Sequence, residues 1–488
     1  MKSDKIAERI SSGIKSLDEI LNGGLIPNRS YLVRGGPGAG KTTLGLQFLL
    51  EGASNKEKVL FITLEDSENN IRANNKIRLM ELNEISFLDI SPTSDFFAEV
   101  ETYDIFSPAD VEREPLTKKI VEHVKQIKPT RVFIDPITQF RYLNSDVYQY
   151  RKQTLSFLRF LVEQGATVMF TSESSSEAPD EDLQFMSDGV INIMRDKIGR
   201  FIEVEKLRGT SFQPGNHAIK IDSKGIKVFP RLIPNALRSK YEFEIISSGI
   251  PAFDEMLNGG IERGTVTILS GPSGTGKTTI GLQFMKEAAG RGERSVVYTF
   301  EEEKELMLQR CDSVNIPARK MIELGSLEIK KVEPLEYSAD EFAYIVRKDV
   351  EENNTRIVML DSIAGYKLSL REEDLQSRIH ALGKYLQNLG VAVIIINEVE
   401  FITGDFRITE VGISHLADNI IFLRYIEIRG ELTKAIGILK KRLSVFERSL
   451  RELKITKHGI RIGNPLINMR GILRGEPEII ETKNENPS

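Results

Sequence analysis

An internal repeat, far longer than a solenoid unit, does most to constrain what this chain can fold into. ISSGIKSLDEILNGGLIPNRSYLVRGGPGAGKTTLGLQF, beginning at Ile10, returns as ISSGIPAFDEMLNGGIERGTVTILSGPSGTGKTTIGLQF, beginning at Ile246. Lys41 recurs as Lys277 and Glu65 as Glu301 at the same offset of 236 residues, so no insertion separates the copies over that stretch. Later landmarks drift: Asp135 pairs with Asp361 at an offset of 226 and Lys206 with Lys440 at 234, as loops of changed length require. A unit of this size can bury a core of its own, unlike the short units of stacked repeats. Two domains of one architecture are therefore expected, residues 1–235 and 236–475, joined through PRLIPNALRSKYEFE at 230–244 and followed by a polar, disordered tail over 476–488.

Within each copy, short β-branched runs alternate with helical patterns: Tyr31–Arg34, a helix from Lys41, Val59–Leu64, a helix through Val147–Gln164, then Thr167–Ser172. That order is βαβ syntax. RVFID at 131–135 and VAVIIIN at 391–397 are apolar at consecutive positions, the pattern of strands covered on both faces, so each domain is expected to be α/β with a mostly parallel, twisted sheet flanked by helices. No apolar run approaches the roughly 20 residues of a membrane-spanning helix, and the N-terminal residues lack the apolar core of a secretory signal. The cytoplasm is the expected compartment. One cysteine, Cys311, excludes an internal disulfide and a cysteine-based zinc site, and the five histidines are scattered. A net charge of −5 opposes an overall basic footprint, which makes nucleic acid an unlikely partner.

Chemistry enters with the pattern G-x-x-x-x-G-K-[ST]. It is spelled by Gly35, Gly36, Pro37, Gly38, Ala39, Gly40, Lys41 and Thr42, followed by Thr43, and again by Gly271, Pro272, Ser273, Gly274, Thr275, Gly276, Lys277 and Thr278, followed by Thr279. Glycines let the loop wrap so that backbone N–H groups converge on phosphate oxygens, and the helix that follows presents its positive end to them. Lys41 and Lys277 would reach the β- and γ-phosphates of ATP, and the Thr42 and Thr278 hydroxyls would coordinate Mg²⁺. A chance glycine turn is the plain alternative, but it does not explain two matches at equivalent positions. Asp135 and Asp361 end apolar strands, where an isolated aspartate is usually a turn-former; downstream of a P-loop they read as carboxylates for the metal. The acid pairs Glu65–Asp66 and Glu301–Glu302 are placed to act on a nucleophile attacking the γ-phosphate, against the simpler reading of a solvated helix start. Lys206–Leu207–Arg208 and Lys440–Lys441–Arg442 occupy corresponding late positions and are candidates for contacts to a neighbouring subunit's nucleotide, which would imply a ring.

Together these residues resemble the KaiC family of tandem RecA-like P-loop ATPases. The likeness extends to SGIKSLDEILNGG, KLRGTSFQPGNHAIKIDSKGIKVFP and NIIFLRYIEIRGEL, so it spans nearly the whole chain. It implies a double-ring homohexamer with ATP at subunit interfaces, slow hydrolysis in the N-terminal ring, and serine/threonine autokinase and autophosphatase chemistry in the C-terminal ring. Two departures stand out. Where the family has paired glutamates in the first ring, this chain has Glu65–Asp66; where it has adjacent Ser and Thr phospho-acceptors, FRITEVGISHLADN offers Ser414 followed by His415, with Thr409 matching a further threonine of that region. The tail through which the clock protein recruits KaiA is short here after LRGEP, so neither KaiA binding nor timekeeping is implied, and a signalling partner stays open. The competing readings are a RecA/RadA-type DNA motor, which needs basic DNA-binding loops that this sequence lacks, and a nucleotide-gated scaffold without kinase activity.

Overall fold

The computed structural model describes residues 8–74, 81–91, 114–141, 147–173, 180–197, 199–234, 241–333, 335–369, 375–399, 415–428, 430–467, 469–472 and 478–479. The chain divides into two compact units, Met1–Arg231 and Leu232–Ser488. The division falls at the start of the proline-bearing joint. Leu232 packs against a core of the second unit, and the Asn388 side chain donates to the Pro234 carbonyl at 2.6 Å.

In the first unit a nine-stranded sheet runs in the order β3-β2-β4-β5-β1-β6-β7-β8-β9. Its strands are β1 (Ser30–Gly35), β2 (Val59–Thr63), β3 (Ser86–Asp89), β4 (Arg131–Asp135), β5 (Thr167–Thr171), β6 (Gly189–Arg195), β7 (Arg200–Leu207), β8 (His217–Asp222) and β9 (Gly225–Phe229). The pairings from β3 through β6 are parallel, and β6 to β9 form an antiparallel meander. Successive residues of one strand feed opposite cores, because side chains alternate across a sheet. Val33, Phe61, Phe133 and Met169 lie in one core, while Leu32, Leu60, Ile62, Val132, Ile134 and Phe170 lie in the other. This two-sided covering accounts for the consecutive apolar runs.

The second unit repeats the plan. A small ribbon, β10 (Ile245–Ile246) with β11 (Ile261–Glu262), precedes β12 (Val266–Gly271), β13 (Arg294–Thr299), β14 (Leu327–Lys331), β15 (Thr355–Asp361), β16 (Ala392–Glu398), β17 (Asn419–Ile428), β18 (Glu431–Lys441), β19 (Arg451–Thr456) and β20 (Gly459–Pro465). The sheet order β14-β13-β15-β16-β12-β17-β18-β19-β20 matches the first strand for strand. Beyond it, β21 (Met469–Arg470) pairs antiparallel with β22 (Glu478–Ile479). Against the expectation of a disordered tail from 476, residues 478–479 pair their backbone with 469–470; the rest of the tail lies outside the described residues.

Much of the long repeated signature is structural. Asp18 accepts hydrogen bonds from the Ser11 hydroxyl and the Ser12 backbone N–H, both at 2.7 Å, and Asp254 does the same for Ser247 and Ser248 at 2.6 and 2.8 Å. Gly45 sits in the helix Lys41–Ser54 where a Cβ would lie 2.1 Å from the Phe133 ring, and Gly281 where it would lie 2.4 Å from Met359. The shared TTxGLQF therefore seats the helix closely on the sheet, and that seat positions the loop before it.

Candidate functional site

Each P-loop follows the central strand of its nine-stranded sheet, β1 or β12, and opens the helix Lys41–Ser54 or Lys277–Gly290. Gly40 and Gly276 stand just before those helices at φ +115° and +105°, a region that L side chains rarely adopt, so glycine is required for the turn. Lys41 Nζ donates to the Gly35 carbonyl at 2.8 Å, and Lys277 Nζ donates to the Pro272 carbonyl at 2.8 Å. Each ammonium is thus folded over its own loop. Ala39 and Thr275 are buried, and Gly36, Pro37, Gly38, Ser273 and Gly274 are exposed. Thr43 is half-buried and Thr279 buried.

The strand-end aspartates meet the P-loop threonines. Thr42 Oγ1 donates to Asp135 Oδ2 at 2.6 Å, and Thr278 Oγ1 to Asp361 Oδ2 at 2.8 Å. Thr171 also donates to Asp135. Burial raises the Asp135 carboxyl above the usual range despite those two hydrogen bonds, and burial pushes Asp361 up to about 6. A hydroxyl and a carboxylate in contact, both hard oxygen donors, form a set that suits Mg²⁺. The desolvated carboxylate, so costly alone, is the chemistry that a divalent cation would stabilise.

The acid pairs stand at the C-terminal ends of β2 and β13, next to those aspartates. Thr63 is in register with Asp135, and Thr299 with Asp361. The Thr63 hydroxyl donates to the Asp66 carbonyl, and the Thr299 hydroxyl to that of Glu302 at 2.8 Å, so the same turn presents both pairs. Burial first, and then the charge of Glu173, raise the Glu65 carboxyl above its ordinary value, against a hydrogen bond from Gln139. Glu301 accepts from the Ser362 hydroxyl at 2.7 Å. Burial lowers the Lys277 ammonium, opposed by the carboxylates of Glu398, Asp361 and Glu301. Gln139, Glu173, Ser362 and Glu398 were not anticipated from sequence. Nor was Lys434, whose ammonium donates to the Gly274 carbonyl at 2.8 Å above the second P-loop.

The late basic residues separate by strand alternation. Lys206 Nζ donates to the Gln184 and Ser187 carbonyls, both at 2.7 Å, and Lys440 Nζ to that of Ala417 at 2.6 Å. Arg208 lies 4.0 Å from Asp188 and Arg442 3.0 Å from Asp418, with side chains 53% and 54% exposed. The residues between them face inward. Leu207 is buried, and Lys441 is a correction to the expected outward set: its ammonium is enclosed against Glu262 and Ser444. Ser414 and Thr409 lie outside the described residues. His415 stacks on His380 with ring centroids 6.1 Å apart.

The paired loops, threonine–aspartate contacts and acid turns recur in both halves, and comparison with known proteins accounts for the pairing. The family model described as the KaiC ATPase matches residues 10–233 and again 246–466. The chain belongs to the KaiC ATPase family. It is similar over nearly its whole length to family members from cyanobacteria. The circadian clock oscillator protein KaiC of Parasynechococcus marenigrum (strain WH8102) is 28% identical over 490 residues, covering 97% of this chain and 94% of that protein. Its counterpart in Prochlorococcus marinus (strain MIT 9313) is 28% identical, covering 97% and 96%. The circadian clock protein KaiC3 of Synechocystis sp. (strain ATCC 27184 / PCC 6803 / Kazusa) is 28% identical, covering 96% and 94%. Membership of the KaiC family makes both halves ATPase domains, in keeping with the two P-loops. Among the described residues no helix is long and apolar enough to cross a membrane.

Proposed function

We propose that both domains bind and hydrolyse Mg·ATP, that the chain works as a homohexameric ring, and that the C-terminal domain is also a serine autokinase acting on Ser414. The observation that supports hydrolysis most directly is the gathering of P-loop lysine, threonine–aspartate pair and acid turn at one end of each sheet. Lys41 and Lys277, with the N–H groups of their loops, would hold the β- and γ-phosphates. Thr42 with Asp135, and Thr278 with Asp361, would hold Mg²⁺, which when bound neutralises charge on the phosphate oxygens. Glu65, oriented by Gln139, accepts the proton of the attacking water; the P–O bond to the β-phosphate breaks, and ADP and inorganic phosphate leave. Asp66 is one methylene shorter than the glutamate of the paired motif and serves as a lesser partner.

In the C-terminal domain Glu301, oriented by Ser362, would take the proton from the Ser414 hydroxyl as its oxygen bonds to the γ-phosphorus and ADP departs. Lys206 and Arg208, and Lys440 and Arg442, are the residues offered to a neighbour's nucleotide. His415 adds a cationic partner for a phosphate on Ser414 when protonated. Intact mass after incubation with Mg·ATP, with peptide mapping, tests the kinase. The expected result is one phosphoryl adduct, lost in Ser414→Ala; an adduct unchanged in that variant rejects the site, and none at all leaves an ATPase only. The relatives are named as circadian clock proteins, and a regulatory role of this kind is the physiological class we infer.

A further inference from the structure

The turn that carries the acid pair is charged differently in the two domains. In the first the run is Glu65–Asp66–Ser67, the helix Glu68–Asn74 carries Asn74, and Thr63 is in register with Asp89. In the second the run is Glu301–Glu302–Glu303, the helix Lys304–Ser313 carries Arg310 where Asn74 stands, and Thr299 is in register with Lys331. Arg310 lies 2.8 Å from Glu302 Oε2. Lys331 Nζ donates to the Glu301 carbonyl at 2.9 Å and lies 3.3 Å from Glu303. Asp66 has no cation partner among the described residues. The Arg310 Nε and Nη2 are both buried without a hydrogen-bond acceptor, so the contact with Glu302 is a charge pair rather than a hydrogen bond, and the charge of Arg310 acts across the site on both Asp361 and Lys277.

We propose that Arg310 is a positioning residue of the C-terminal nucleotide site, holding Glu302 in a compensated ion pair so that Glu301 alone faces the γ-phosphate and metal-free ATP meets less repulsion. This rests on the reading of Gly271–Thr278 as an ATP site. An unpaired carboxylate a few ångströms from a polyphosphate repels it strongly in a partly desolvated cleft, and a bound divalent ion hides most of that repulsion. The pairing of Glu302 therefore separates the two sites by metal dependence. The first, with no cation on Asp66 among the described residues, needs Mg²⁺ to hold ATP; the second tolerates its removal.

The test uses the full-length Lys41→Ala protein, in which the C-terminal site is the remaining one, titrated with a fluorescent N-methylanthraniloyl ATP in excess Mg²⁺ and in excess EDTA. Arg310→Asn is expected to raise Kd about tenfold in EDTA and no more than about threefold in Mg²⁺. Arg310→Lys should retain most of the affinity, and Arg310→Asn/Glu302→Gln should return to the parent value, a rescue that a merely structural role would not produce. Glu302→Gln alone keeps the arginine and its fold, and should tighten metal-free binding severalfold. Equal EDTA affinities for Glu302→Gln and its parent, or a loss in Arg310→Asn that Glu302→Gln does not relieve, overturn the inference while leaving the ATP reading intact. No binding by the Lys41→Ala parent in either condition, at a protein concentration where light scattering still shows the assembled ring, overturns both.

Discussion

A carboxylate that takes a proton from water must be held in place and must not be spent on a neighbouring cation. Among the described residues neither Glu65 nor Glu301 is paired with a cation, and the first accepts a hydrogen bond from Gln139 and the second from Ser362 at 2.7 Å. Glu65→Gln and Glu301→Gln are each expected to lower turnover in their own domain by about 10²–10⁴-fold while nucleotide affinity stays within about twofold. Turnover and fluorescent-nucleotide binding on the two single variants check this, and a domain that turns over normally without its glutamate would remove that residue from the reaction. At this scale the P-loops were legible because eight consecutive residues carry the whole phosphate-binding geometry. The orienting residues were not, since Ser362 reaches Glu301 from 61 positions along the chain and only the β13–β15 register brings them together. Lys441 misleads for a different reason. It belongs to an outward-looking basic cluster in sequence, but a strand sends alternate side chains to opposite faces, so Lys440 and Arg442 face one way and Lys441 the other.

The elements explain why one plan accepts different residues at the same place. In the second domain Lys441, Glu262, Ser444 and Asn419 form a buried polar group, with Asn419 donating to Thr265 and Thr267 at 3.2 and 3.1 Å. The corresponding places in the first domain hold Leu207, Ile26 and Gly189, and the Tyr31 ring fills the space over Gly189. Lys441→Leu alone strands the Glu262 carboxylate and is expected to cost about 3–5 kcal/mol; Lys441→Leu/Glu262→Ile, the combination of the first domain, should recover most of it. Denaturant melts of the two variants decide, and equal losses would mean that the ion pair is not what this position needs. The seat of the P-loop helix gives a second expectation. Ala is the better helix former by about 1 kcal/mol, yet Gly45→Ala and Gly281→Ala drive a Cβ into Phe133 or Met359 and should destabilise by about 1–3 kcal/mol. A gain in melting temperature would show that the helix can lift away without cost. Among the elements, the parallel half of each sheet was legible from its consecutive apolar runs, and the helix Val147–Glu163 from its period. The antiparallel meander was not: β7 and β19 mix buried, half-buried and exposed positions and carry charge, and what commits them to a sheet is the hairpin partner rather than their own composition.

At the scale of the whole molecule, the repeat makes both domains present the same device to solvent. A lysine is tied to backbone carbonyls just before β6 or β17, and an arginine two residues later leaves more than half of its side chain exposed. Such an arginine, anchored by its neighbour and held near a single aspartate, suits a bidentate contact to a phosphate from another subunit. If nucleotide binds only at a completed interface, it favours the ring by mass action, worth about 2.7 kcal/mol per site at a hundred times Kd. Light scattering is therefore expected to give a hexamer with Mg·ATP and a smaller species without it, and Lys41→Ala should weaken the assembly. Mixing separates a trans contact from a cis one. In a Glu301→Gln background, which silences the second site, Lys41→Ala and Arg208→Ala are each expected to lose turnover. If Arg208 serves the neighbour, random co-assembly of the two gives about a quarter of interfaces with an intact P-loop facing an intact arginine, and turnover returns in that proportion. If Arg208 serves its own chain, every subunit in the mixture lacks one of the two groups, and the mixture stays as inactive as its components.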